Sequence, residues 1–365
     1  MTRAFQLAAS LWPRAGGDRR NSGRVACAGP VAGRVVAEVA LPTSRLAWRG
    51  AGLAVADDGA VLVVADGHLV RVGVDGAIAS VSDLAACLAE VDSAAAVVTN
   101  RALTPPVALA DGSTLVIVPP HALRFGPDGA LIGSDDLGEM VDDSGLAPNL
   151  THAGGLVITR ISGGVDVSLD GRPVPVGSFG DDIVPPALHA DDAMVIAGYA
   201  GAGLVCVAAD GTRRWRAKLA DPDLVPSIDR DGFVAAGSLS ARRSIIVDAV
   251  GRTVGRLGRA AVFAEAEGGD WFARSADGLW RVGRDGAPRW VHPLDEVDLG
   301  WGARAPIADR AGVVHVVTAR GYRAVDATTG AARFDLDLGE APRALAVVGP
   351  GRAAVLCAQR LLLVA

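Results

Sequence analysis

Residues 279–294 read Leu-Trp-Arg-Val-Gly-Arg-Asp-Gly-Ala-Pro-Arg-Trp-Val-His-Pro-Leu. Two short apolar strands flank Asp285-Gly286, and Asp-Gly in that setting is the strongest short-range hairpin signal, because glycine supplies the positive φ that a tight turn needs. The pattern recurs at 69–81, 122–134, 165–176, 204–219, 244–257 and 322–338. Its turn glycines are Gly76, Gly129, Gly171, Gly211, Gly251, Gly286 and Gly330, spaced by 53, 42, 40, 40, 35 and 44 residues. A second strand-turn-strand precedes each of six hairpins, at 53–65, 105–118, 149–159, 185–198, 226–237 and 305–317.

Each unit therefore holds four short strands, a to d, in about 40–45 residues, which is the period of a propeller blade. Gly33 to Ala365 accommodates about eight such units at that period. The segment 344–365 supplies strands a to c only, and 33–41, Gly-Arg-Val-Val-Ala-Glu-Val-Ala-Leu, is expected to complete its sheet from the other end of the chain. Such a closure removes the exposed edge of an open array. The predicted fold is all-β: an eight-bladed propeller of four-stranded antiparallel blades spanning 33–365, with residues 1–32 as a lead-in packed on it. Seven blades is the alternative, if the 35-residue step hides a wrongly divided unit. Leu84, Cys87, Leu88 and Val91 fall at helical spacing and predict one short helix between the first two blades.

Composition narrows the function. The chain has 365 residues, 46 of them glycine, with 50% hydrophobic and 21% charged residues and a net charge of -6. That balance leaves no basic footprint for nucleic acid, and no apolar run is long enough to span a bilayer. Lys218 is the only lysine, so a P-loop lysine is absent. The four cysteines, Cys27, Cys87, Cys206 and Cys357, form no metal or disulfide pattern, and the N-terminus lacks an export h-region. A cytoplasmic location is expected, rather than an exported or lipid-anchored form.

Three d strands carry an aromatic four residues after the turn glycine: Trp215, Trp290 and Phe334. The last reads Ala324-Val325-Asp326-Ala327-Thr328-Thr329-Gly330 before it, and the N-terminus contains Trp12-Pro13, Gly17-Asp18 and Ser22-Gly23. These features resemble the PQQ-like, quinoprotein-type repeat proteins of bacteria, in which the aromatic packs between neighbouring blades. The resemblance implies blade-docking roles for Trp215, Trp290, Phe334, Asp326 and Gly330. Catalytic members hold pyrroloquinoline quinone and calcium in the channel, with a vicinal disulfide and a catalytic aspartate; this chain has no adjacent cysteines. The non-catalytic branch uses the propeller, which is also WD40-like in its repeat, as a docking surface.

No catalytic, cofactor or metal residue is assigned from the sequence. The six histidines form no HExxH, and no G-x-S-x-G occurs. Loops joining strand d to the next strand a concentrate carboxylates: Asp135, Asp136, Glu139, Asp142, Asp143, Asp181, Asp182, Asp295, Glu296 and Asp298. They form a candidate face for a protein partner, since an acidic rim steers a basic one. Arg304 and Arg343, at the starts of two successive a strands, form a candidate anion site at the channel mouth. The functional expectation is a monomeric scaffold acting within a complex. The alternative is an enzyme with its site in the channel, either a diverged quinoprotein dehydrogenase or a propeller lyase or hydrolase.

Overall fold

The computed structural model of the protein describes residues 5–43, 48–93, 101–138, 147–169, 172–199, 203–295 and 305–365. Eight four-stranded antiparallel sheets are arranged as blades, as the repeat predicts. In blade 1 the strands are Ala51–Val55, Val61–Ala65, His68–Val72 and Ile78–Asp83, in spatial order a to d. Strands a of blades 2 to 8 are Val107–Ala108, Asn149–Leu150, Asp181–Leu188, Ser227–Ile228, Val262–Glu265, Ile307–Ala308 and Ala344–Gly349. Strand a of blade 8 touches strand a of blade 1, which closes the ring.

The closure is built as expected: Val35–Ala40 pairs antiparallel with Arg360–Val364 and becomes strand d of blade 8. The inner and middle strands are buried on both faces, so Val61–Ala65 and Thr114–Val118 read as unbroken apolar runs apart from Thr114. Outer d strands alternate instead, as in Ala332–Asp337, because one face meets solvent. Helix α1, Leu84–Val91, begins at Asp83, whose carboxylate accepts the N–H groups of Ala85 and Ala86. It buries Leu84 and Leu88.

Blade docking follows one geometry. The aromatic of a d strand lies under the turn glycine of the next blade: Trp215 under Gly251, Trp290 under Gly330, and Phe334 under Gly33 of the closing segment. Trp290 Nε1 donates to Ala327 O at 3.0 Å, which fixes the ring against that turn. Where the aromatic is missing, the turn itself moves in. Ser82 Oγ donates to Gly129 O at 2.6 Å, and a Cβ on Gly255 would stand 2.3 Å from Arg284 O. Gly255 is thus glycine because the next blade's backbone fills the place of a ring.

Asp326 organises the turn that meets Trp290. Its carboxylate accepts from the N–H of Thr328 and Thr329 and pairs with Arg333. The Thr329 N–H, followed by the Arg333 guanidinium, holds its pKa down to about 2. A free aspartate titrates near ~3.9, so this stabilisation is complete above pH ~4 and is lost as pH falls through the folded value. Asp326→Asn is expected to cost about 1–2 kcal/mol at neutral pH. In thermal melts the gap from the parent should close as pH falls from about 4 toward about 2. A gap that stays constant across that range would assign the turn's stability to its backbone alone.

Candidate functional site

Strand a is the inner edge of every blade, so its backbone groups near the a–b turns have no partner within their own sheet. The N-terminal segment supplies those partners. Trp12 O accepts from Val55 N at 2.7 Å, Pro13 O from Ala108 N at 2.8 Å, and Arg19 O from Leu188 N at 2.8 Å. Arg20 O, Ser22 O and Gly23 O then accept from Ile228, Glu265 and Ala308, at 2.9, 2.7 and 2.8 Å. Arg19 Nε donates to Leu150 O, and Gly351 N to Ala28 O, so all eight blades are engaged. The segment crosses the channel at its a–b end and seals it.

The sharp path of this plug explains its glycines. Gly16 and Gly17 have φ of 94° and 85°. Gly23, at φ 65°, lies so close to blades 6 and 7 that a Cβ would be 2.6 Å from Ala264 Cβ and 2.7 Å from Pro306 O. Asp18 holds the bend by accepting from the N–H groups of Arg20 and Ser22. On the outer side, buried Glu265 is approached by Arg20 at 3.3 Å, Arg230 at 3.4 Å and Arg24 at 3.8 Å. A second lock lies farther along, where Gly29 N donates to Asp309 Oδ2 at 2.6 Å. His315 Nε2 donates to the same oxygen at 3.1 Å, and Tyr322 Oη donates to His315 Nδ1 at 2.7 Å. Burial alone would raise the Asp309 pKa, but the hydrogen bonds from His315, Gly29 and Val313 leave it below the ordinary value. Burial pushes Tyr322 well above 10.

Above the plug lies a channel cavity of about 80 Å³. Its floor is Trp12, Arg14, Gly16 and Asn21; its walls are the beginnings of the a strands and the residues just before them, including Leu53, Pro105, Val225, Val262 and Leu345. Arg14 is 2% exposed and is held between the plug and the residues that lead into strand a of blade 3. Its Nε donates to Pro148 O, its Nη1 to Asp18 O and Asn21 Oδ1, and its Nη2 to Ala147 O. Asn21 Nδ2 in turn donates to Pro226 O at 3.1 Å. Desolvation lowers the Arg14 pKa to about 10.

Of the carboxylates singled out from the sequence, those among the described residues lie toward the opposite, d–a face. Asp135 and Asp136 end strand d of blade 2, Leu131–Asp136, with Asp136 exposed and accepting from Gly138 N at 2.8 Å. Asp295 is exposed just beyond strand d of blade 6. Asp181 and Asp182 open strand a of blade 4, where their backbone alone is described. Glu139, Asp142, Asp143, Glu296, Asp298 and Arg304 lie outside the described residues. Arg343 is exposed, next to Ala344 and Leu345, which line the cavity. His152 and His189 share a turn position but not a ligand: His152 Nδ1 meets Asp192 at 2.7 Å. Among the described residues no cluster of His, Cys, Asp and Glu is arranged to hold a metal.

The arrangement matches solved structures over nearly its whole length. The quinohemoprotein alcohol dehydrogenase from Comamonas testosteroni superposes with a TM-score of 0.69 at 11% identity, covering 97% of this chain and 80% of that one. BamB from Moraxella catarrhalis gives a TM-score of 0.61 at 14% identity, over 91% and 97%. The chain shares its eight-bladed β-propeller fold with these structures. A virginiamycin B lyase from Staphylococcus aureus shares this propeller more loosely, with a TM-score of 0.51 at 10% identity over 90% and 98%. No family model and no curated protein matches the chain. Among its described residues the propeller has no helix long and apolar enough to cross a membrane.

Among the described residues, the channel lining does not fit a quinone–calcium centre. The described lining of the cavity offers no carboxylate to a calcium ion, and the sequence has no adjacent cysteine pair. Sequence reasoning passed over Arg14 and Asn21, the two polar residues of the cavity floor.

Proposed function

We propose that the protein is a non-catalytic binding protein that docks a basic protein partner on the face formed by the d–a and b–c loops. One observation carries this reading: the lead-in seals the channel at the a–b end, so the d–a face is the side from which the channel is approached. That face also presents the exposed carboxylates of Asp136 and Asp295. Propellers bind through loops held on rigid strands, and like-signed charge on a rim steers a complementary partner. The neighbours include BamB and two enzymes by name, and the described lining of this channel offers no carboxylate for the cofactor centre of a quinoprotein. We place the protein in the cytoplasm as a monomer within a complex; all four cysteines are free thiols, consistent with a reducing compartment.

Affinity capture with the parent chain and with an Asp135→Lys/Asp136→Lys/Asp295→Lys variant tests the reading. A partner should be recovered by the parent and lost with the variant, and recovery should weaken as salt is raised. Equal recovery with both, or loss only on substituting Arg20 and Arg24 at the other face, would overturn it.

A further inference from the structure

The guanidinium at the channel floor points to a ligand that the docking reading does not require. Arg14 has five N–H donors, and its four described acceptors use four of them. All four acceptors are neutral: three backbone carbonyls and the Asn21 amide oxygen. Among the described residues Arg14 makes no ion pair. The nearest acid, Asp18, turns its carboxylate to Arg20 and Ser22. A buried cation without a counterion is costly, and it remains here because carbonyls of Asp18 in the plug and of Ala147 and Pro148 before blade 3 hold it in place beneath a cavity.

The cavity says what kind of anion would complete it. Apart from Arg14, Asn21 and Ser227 its described lining is apolar or backbone, with Trp12, Leu53, Pro105, Val225, Val262 and Leu345 around the space above the guanidinium. Ser227 Oγ is already committed to Phe263 O at 2.9 Å, and Asn21 Nδ2 to Pro226 O. At about 80 Å³ it is roughly half the size of a cavity that accepts benzene, about 150 Å³. A multiply charged or strongly hydrated anion would pay its desolvation against apolar walls with one cation in return. A carboxylate with a short aliphatic tail matches both parts: one negative charge toward Arg14, and a few carbons against the walls.

We propose that the sealed end of the channel is a binding site for a short-chain monocarboxylate of the acetate-to-propionate class, with Arg14 as its charged anchor. Titration calorimetry and thermal melts of the full chain with sodium propionate test this, against sodium chloride and sodium phosphate at matched ionic strength. Propionate is expected to bind one to one and to raise Tm, with neither inorganic anion doing so. Ala305→Phe fills the cavity without touching a contact of Arg14 and should weaken binding at least about tenfold while the protein stays folded. Arg14→Met should abolish binding where circular dichroism shows the fold retained. No heat and no Tm shift with propionate, equal effects from chloride or phosphate, or unchanged affinity in Ala305→Phe would each overturn the proposal. The docking variant Asp135→Lys/Asp136→Lys/Asp295→Lys should bind propionate as the parent does, which separates failure of this site from failure of the docking face.

Discussion

His315→Leu is expected to destabilise the protein by about 3–5 kcal/mol, a large effect for a single side chain. The imidazole is 0% exposed and bridges two other buried groups, accepting from Tyr322 Oη at Nδ1 and donating from Nε2 to Asp309. Leucine fills a similar volume but leaves a carboxylate and a phenol without that partner in a place water does not reach. Tyr322→Phe, which removes only the outer donor, should cost about 1 kcal/mol. The double variant Asp309→Asn/His315→Leu should lose less than the sum of its singles, because the uncompensated charge is then gone. Urea unfolding read at constant m decides the matter. A loss below about 1 kcal/mol for His315→Leu would mean that the network is solvated and does not lock the fold. The same variant should speed hydrogen exchange at Gly29, whose N–H ends on Asp309, and so report whether the lead-in is latched through this network.

This network also marks where the sequence stopped being legible. The turn glycines were readable because the reason for each is local: Gly76, Gly129, Gly211, Gly251, Gly286 and Gly330 all have φ between 74° and 86°. Strand 33–41 was readable because a three-strand unit at one terminus needs a fourth. The aromatics Trp215, Trp290 and Phe334 were readable from their spacing, but their partners were not, since each lies under a glycine of another blade. Arg14 and Asn21 were invisible for the same reason in stronger form: the carbonyls that hold them come from Pro148 and Pro226, 134 and 205 residues away. Nothing in a 40-residue period announces that a segment outside the repeat will pair with every repeat in turn. Arg343, placed at the channel mouth by its position in the unit, is exposed one residue before strand a of blade 8 begins.

Gly330→Ala is expected to cost about 2–4 kcal/mol, and the comparison with Gly339→Ala isolates the cause. The two glycines have nearly the same backbone, φ of 74° and 73°. At Gly339 a Cβ would meet nothing within 4 Å, so Gly339→Ala costs only the left-handed backbone, about 1 kcal/mol. At Gly330 a Cβ would sit 2.9 Å from the Trp290 indole, which cannot retreat while its Nε1 is bonded to Ala327 O. Trp290→Ala opens that space and should recover part of the loss in the double variant, although it is itself destabilising by about 2–4 kcal/mol. Unfolding free energies of the two singles and the double therefore give the blade 6–blade 7 contact as a coupling energy. A coupling near zero would show that ring and turn glycine act independently, and that the aromatic repeat does not dock blades in this propeller.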